Sequence, residues 1–223
     1  MISDLSMKVE LVPVVDISSL VIDWQLAGPR PASNFIHNPL QWEQYQARIL
    51  QIAGFNDYKR VLPGSHFLTV GDWTLPDLQK LIQAHLHPAD EVVAAADSCA
   101  LFGGGILFLD DTPVVIPQCC GTLADLYRWQ ALVEPQFQSG YFCMEGHPCP
   151  KATRQGSMLR ITCHDEDEMF DQPTLLQFSV EIQALAAAIS AAERTLTTLC
   201  EKVDRLSSSF GVQKLSDHLI RGK

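Results

Sequence analysis

An α+β fold, with a mixed or antiparallel sheet, several helices and one long C-terminal helix, is predicted by three patterns in this sequence. Short runs rich in Val, Leu and Ile read as strands. Two stretches at helical spacing carry their own start and stop residues. Last, Leu175, Phe178, Ile182, Leu185, Ile189, Ala192, Leu196, Leu199, Val203, Leu206 and Phe210 follow one another at alternating steps of three and four.

The elements follow in chain order. Lys8 to Ile22 supplies one or two strands, and Gly28-Pro29-Arg30-Pro31 then breaks the chain. Asn38 in the capping position, Pro39 at the first helical turn, Leu40, Tyr45, Ile49 and Ile52 at helical spacing, and Gly54 beyond them define a helix. Val61 to Val70 reads as a strand broken by Pro63-Gly64. Thr74 and Pro76 open a second helix bearing Leu78, Leu81 and Ile82, which ends near His87-Pro88, and the Ala-rich stretch Asp90 to Cys99 reads as a short helix.

Gly103 to Ile116 reads as a β-hairpin with Asp110 to Thr112 at its turn. Both arms are almost wholly apolar, so both faces are expected to be covered. The triple glycine before the first arm lacks the Lys-Ser/Thr and the helix of a phosphate loop, and fits a turn, a bulge or close packing instead. Thr122, with Asp125 three residues on, caps a third helix carrying Leu123, Leu126 and Val133. Tyr141 to Met144 and Met158 to Cys163 suggest two more strands. The acidic run Asp165 to Glu168 lacks EF-hand spacing and is expected to place negative charge ahead of a helix N-terminus.

No Gly or Pro interrupts Thr174 to Phe210, which predicts a helix of roughly 35 residues, about 50 Å long. Ile182, Ile189, Leu196 and Val203 fall at heptad position a, and Phe178, Leu185, Ala192, Leu199 and Leu206 at d. The flanks carry small residues such as Ala186 and Ala188 where paired charges would mark a free coiled coil. The expected division is a globular part over residues 1–171, the heptad helix over 172–210 and a short polar tail over 211–223.

The chain has 223 residues, a net charge of −10 and seven cysteines. Its length suits one sizeable core with a helical appendage. The acidity and the lack of a concentrated Lys/Arg run argue against nucleic acid as a partner, and no stretch reads as a membrane span. The first residues do not read as a secretory signal, so a cytoplasmic location and thiol cysteines are expected.

No complete catalytic motif is present, and the sequence favours a soluble acidic interaction module over an enzyme. An immunity-type or inhibitory protein that neutralises a basic partner is one form of it. Phe178, Ile182, Leu185, Ile189, Leu196, Leu199, Val203 and Leu206 would then form the surface for a protein partner or self-association. The first alternative is a thiol- or zinc-dependent hydrolase, since thiolate and imidazole are the ligands zinc prefers. No cofactor is required by the sequence; for zinc the candidate ligands are Cys143, His147, Cys149, Cys163 and His164. Cys163 and His164 are adjacent, so they point to opposite faces of a strand. For a nucleophile the candidates are Cys119 and Cys120, just before the third helix, with His147 or His164 as base and Asp165 or Asp125 to orient it. The second alternative, a small-ligand sensor, requires a preformed apolar pocket with a few polar groups.

Overall fold

A computed structural model describes residues 7–18, 24–55, 57–87, 93–143, 146–170 and 175–223. The fold is α+β, with two antiparallel sheets, a set of helices and one long helix near the C-terminus. Two compact units divide the chain discontinuously: residues 1–13 with 103–197, and residues 14–102 with 198–223.

In the first unit, the leading half of β1 (Val9–Asp16) lies beside β3 (Gly103–Leu109), which pairs with β4 (Thr112–Val115). Asp110 and Asp111 turn the β3–β4 hairpin with φ of 46° and 64°. Positive φ at both central residues matches the right-handed twist of the arms, and Asp tolerates it better than most side chains. As both apolar arms predict, β3 is buried along almost its whole length. Its glycines serve close packing: a Cβ on Gly105 would lie 2.6 Å from Leu126 Cδ2 and 2.8 Å from Leu11 Cδ1.

The third predicted helix begins as a six-residue 3₁₀ segment, Leu123–Arg128, and continues as α4 (Trp129–Val133). The second sheet is an antiparallel meander in the order β5 (Ser139–Tyr141), β6 (Lys151–Gln155), β7 (Met158–Thr162) and β8 (Gln177–Glu181). Its buried face carries Ala152, Leu159, Ile161, Phe178 and Val180.

In the second unit, Val14, Val15 and Asp16 of β1 pair with Thr69, Leu68 and Phe67 of β2 (Phe67–Thr69). A short α1 (Trp24–Ala27) precedes α2 (Pro39–Ala53) and α3 (Leu75–Leu86). Gly54 ends α2 in the left-handed conformation, with its N–H on the carbonyls of Gln51 and Leu50. Of the predicted apolar face, Tyr45 and Ile49 turn inward, joined by Trp42 and Leu50, whereas Leu40 is 73 % and Ile52 37 % exposed. The Thr74 hydroxyl caps α3 by accepting from the Asp77 N–H. No helix forms over residues 93–99, where a single turn joins the Asp97 N–H to the Ala94 carbonyl; the rest of that expectation lies outside the described residues.

The long helix is shorter than the stripe predicts. α5 runs from Ile182 to Asp204, 23 residues or about 35 Å. Residues 177–181 alternate in burial as an edge of the second sheet, with Phe178 and Val180 inward and Gln177, Ser179 and Glu181 outward. Period two therefore governs where the spacing of Leu175, Phe178 and Ile182 mimicked a helix. After Asp204 the chain tightens into a 3₁₀ turn, Ser207–Phe210, and Gly211 ends it in the left-handed region.

The expected partner surface is spent inside the chain. Phe178, Leu185, Ile189, Leu196, Leu199, Val203 and Leu206 are each at most 8 % exposed, and only Ile182 is half-buried. The expected polar tail is also core: α6 (Leu215–Leu219) and Ile220 bury Leu215, Leu219 and Ile220 completely. Among the described residues, no helix is long and apolar enough to cross a membrane.

Candidate thiol and imidazole site

The site grows from the glycines of β3. The Gly103 N–H donates to the Gly121 carbonyl at 2.9 Å, drawing the loop that carries Cys119 and Cys120 onto the strand. A Cβ on Gly121 would lie 3.0 Å from the Gly103 oxygen and 3.1 Å from the Gln118 oxygen. That loop is joined in turn by the segment before β6. The His147 N–H donates to the Cys119 carbonyl at 2.9 Å, an isolated antiparallel bridge that sets His147 beside the two cysteines.

Cys120 adopts φ of +60°, a region that costs a side-chain-bearing residue energy and persists only where its surroundings impose it. In an extended chain, neighbouring side chains diverge to opposite faces. Here the Cys119 and Cys120 sulfurs lie 3.5 Å apart. They join a ring nitrogen of His147 in a group whose donor atoms all lie within 4.8 Å of one another, the one such group of three among the described residues. All three residues are exposed.

Glu168 completes the arrangement. Its Oε2 lies 2.9 Å from His147 Nδ1, and both side chains are about half exposed. Asp165 positions the carboxylate by accepting from the Asp167 and Glu168 N–H groups through Oδ1, at 2.9 and 3.2 Å. The acidic run thus precedes a strand and supports a histidine; it does not sit at a helix N-terminus. Glu168 and then the Cys120 thiol raise the His147 imidazole above its ordinary value.

A second group of thiols lies inward. The Cys143 N–H donates to Cys149 Sγ at 3.0 Å. The Cys143 thiol is the main cause holding Cys149 below the usual thiol range, and the same contact, with burial, pushes Cys143 up. Burial, reinforced by Cys149, pushes the Cys163 thiol up to about 12.

Among the described residues, the five zinc candidates do not form one close group of donor atoms. Cys143 and Cys149 face each other and Cys163 is buried, while the bridge to Cys119 carries His147 to the other cysteine pair. His164 is exposed and Cys163 is not, as expected for neighbours at a strand end. Of the nucleophile candidates, Cys119, Cys120 and His147 do converge. The carboxylate that meets His147 is Glu168, which sequence reasoning missed; its signal was the acidic run. Asp125 accepts from the Thr122 N–H at 3.1 Å, and Asp165 acts through the Glu168 backbone. The segment after Cys120 opens as a six-residue 3₁₀ helix, Leu123–Arg128, where an α-helix was expected.

The second unit holds a separate cavity of about 570 Å³, walled by Trp42, Tyr45 and Ile49 with Arg30, Gln46 and His66 among its polar groups. Comparison with known proteins finds no matching family model, no matching curated relative and no matching solved structure.

Proposed function

We propose that this protein is a thiol-dependent hydrolase in which Cys120 is the nucleophile, His147 the general base and acid, and Glu168 the group that orients the imidazole. The observation that carries this reading is the position of His147 between a carboxylate on Nδ1 and a cysteine thiol. The Glu168 carboxylate fixes the proton on Nδ1 and leaves the other ring nitrogen to take the proton of Cys120. The left-handed backbone at Cys120 supports the reading, because strained backbone clusters at reactive side chains.

The chemistry is acyl transfer to sulfur followed by hydrolysis. The Cys120 S–H proton passes to His147, and the thiolate attacks the acyl carbon of an ester, thioester or amide. A C–S bond forms, the bond to the leaving group breaks, and that group departs with the proton from His147. Water then attacks the acyl-enzyme, gives its proton to His147, and releases the acid as the proton returns to the sulfur. The half-exposed His147 and Glu168 leave the reacting atoms open to a substrate approaching from solvent.

Alkylation by iodoacetamide, followed by peptide mass spectrometry, tests the nucleophile. Cys120 should react at least about tenfold faster than exposed Cys99 at neutral pH, and His147→Ala should remove the difference. A p-nitrophenyl ester should give a burst of one equivalent that Cys120→Ser abolishes. Cys120 reacting no faster than Cys99, with no burst, would refute the reading.

A further inference from the structure

The hydrolase reading uses Cys120, His147 and Glu168 and gives no task to Cys119, whose sulfur lies 3.5 Å from that of Cys120. We infer that Cys119, Cys120 and His147 form a binding site for a thiophilic divalent metal ion of the zinc class, with a fourth coordination position open to solvent. The inference shares two residues with the hydrolase reading but does not need it to be right.

The separation of the sulfurs is the first argument. Two thiolates bound to one tetrahedral zinc at 2.3 Å must lie about 3.8 Å apart, the edge of the coordination tetrahedron. The observed 3.5 Å is close to that edge and much longer than a disulfide bond of about 2.0 Å. Adjacent cysteines reach such an approach only by an unusual backbone, which the +60° φ of Cys120 supplies. A nucleophile alone needs one sulfur to be exposed; the turn here brings two sulfurs to the same side.

The third donor is held independently. Pairing of the His147 N–H with the Cys119 carbonyl places the imidazole from a segment 28 positions further along the chain, so the ligand set does not depend on one flexible loop. Glu168 engages Nδ1, the arrangement in which a carboxylate fixes the ring and the tautomer of a metal-binding histidine and raises its basicity. The remaining nitrogen is then the ligand atom. The donor set is two sulfurs and one nitrogen, which suits zinc and excludes calcium and magnesium, whose ligands are oxygens.

Three protein ligands at an exposed surface leave the fourth position to water or to a donor atom from solvent. In the metal-bound form the Cys120 sulfur is a ligand and unavailable as a nucleophile.

Metal-stripped protein should be titrated with Zn²⁺ against a chromophoric chelator, with Co²⁺ as a spectroscopic probe of the donor atoms. Expected are one equivalent of Zn²⁺ and, with Co²⁺, a sulfur-to-metal charge-transfer band and the d–d absorption of a tetrahedral site. Cys119→Ser, Cys120→Ser and His147→Ala should each weaken binding at least about tenfold, and Glu168→Gln by about 10- to 100-fold. Cys99→Ser and Cys149→Ser should bind as the parent chain does. The inference is overturned if no Zn²⁺ is retained, or if uptake survives Cys119→Ser with Cys120→Ser and falls with Cys149→Ser. Failure of the hydrolase reading shows instead as Cys120 alkylating no faster than Cys99 in the metal-stripped chain, so the two outcomes are separable.

Discussion

Gly146 rests against Gly121: a methyl group added to Gly146 would lie 3.2 Å from the Gly121 Cα and 3.3 Å from Asp125 Oδ2. The two glycines let the strand-edge loop of His147 and the loop of Cys120 touch backbone to backbone. Gly146→Ala should therefore push the loops apart at a cost of about 1–3 kcal/mol in urea unfolding. Cys120 alkylation should slow with it, since His147 moves with Gly146. Unchanged stability and unchanged alkylation would show that the contact does not place the site.

The buried stripe of α5 makes a different prediction. Leu196 and Leu199 are each 1 % exposed within the single chain. Truncating either to Ala should cost about 2–5 kcal/mol, measured by denaturant unfolding. The loss should be the same at micromolar and at tenfold higher protein concentration, because the side chains are covered by their own chain. A loss that shrinks as concentration rises would return the stripe to a role between subunits.

Asp204 closes the α5–α6 corner. Its Oδ1 accepts from the Ser216 N–H at 2.8 Å and its Oδ2 from the Ser216 hydroxyl at 3.0 Å, and Ser216 is fully buried. Asp204→Ala strands both donors and should destabilise the chain by about 1–3 kcal/mol. Changing both residues to Ala removes the stranded hydroxyl and should recover part of that loss, which a double-mutant cycle measures.

His85 gives a pH dependence whose sign is fixed by its surroundings. Burial lowers its pKa, opposed by the Cys99 carbonyl 3.0 Å from Nε2, and its ring meets Phe102 edge-on. The folded value lies below the unfolded one, so the unfolded chain takes up the proton first. The contribution of His85 is complete above about pH 6.5 and is lost as pH falls through the folded value. Between about pH 7.5 and 5.5 the parent chain should lose more stability than His85→Gln, which keeps a donor but does not titrate. Equal losses would contradict the assignment.

Much of the fold was legible in the sequence because local signals and burial agreed. Pro39 and Gly54 bracket α2, Thr74 caps α3, and Asp110-Asp111 turns a hairpin whose arms are apolar on both faces. Among what escaped were β6 and β8, and β5 runs Ser139–Tyr141 where Tyr141 to Met144 was expected. In β6 only Ala152 is buried, so no period shows, and in β8 the two inward residues also fit helical spacing with their neighbours. The approach of the Cys119 and Cys120 loop to His147 depends on a backbone bridge and on glycines that touch through space. Residue types alone identified two of the three partners of His147, and the third, Glu168, depended on an Asp165 turn that spacing does not reveal.

Each unit is assembled from two stretches of chain separated by about ninety residues. The second unit starts at residue 14, yet Leu215, Leu219 and Ile220 belong to its buried residues. A nascent chain that has emerged through residue 102 therefore displays apolar surface with nothing yet made to cover it. It must hold that surface until nearly a hundred further residues have been added. Such an order of events slows folding and invites chaperones during synthesis. It also makes any C-terminal shortening of this protein an injury to its beginning.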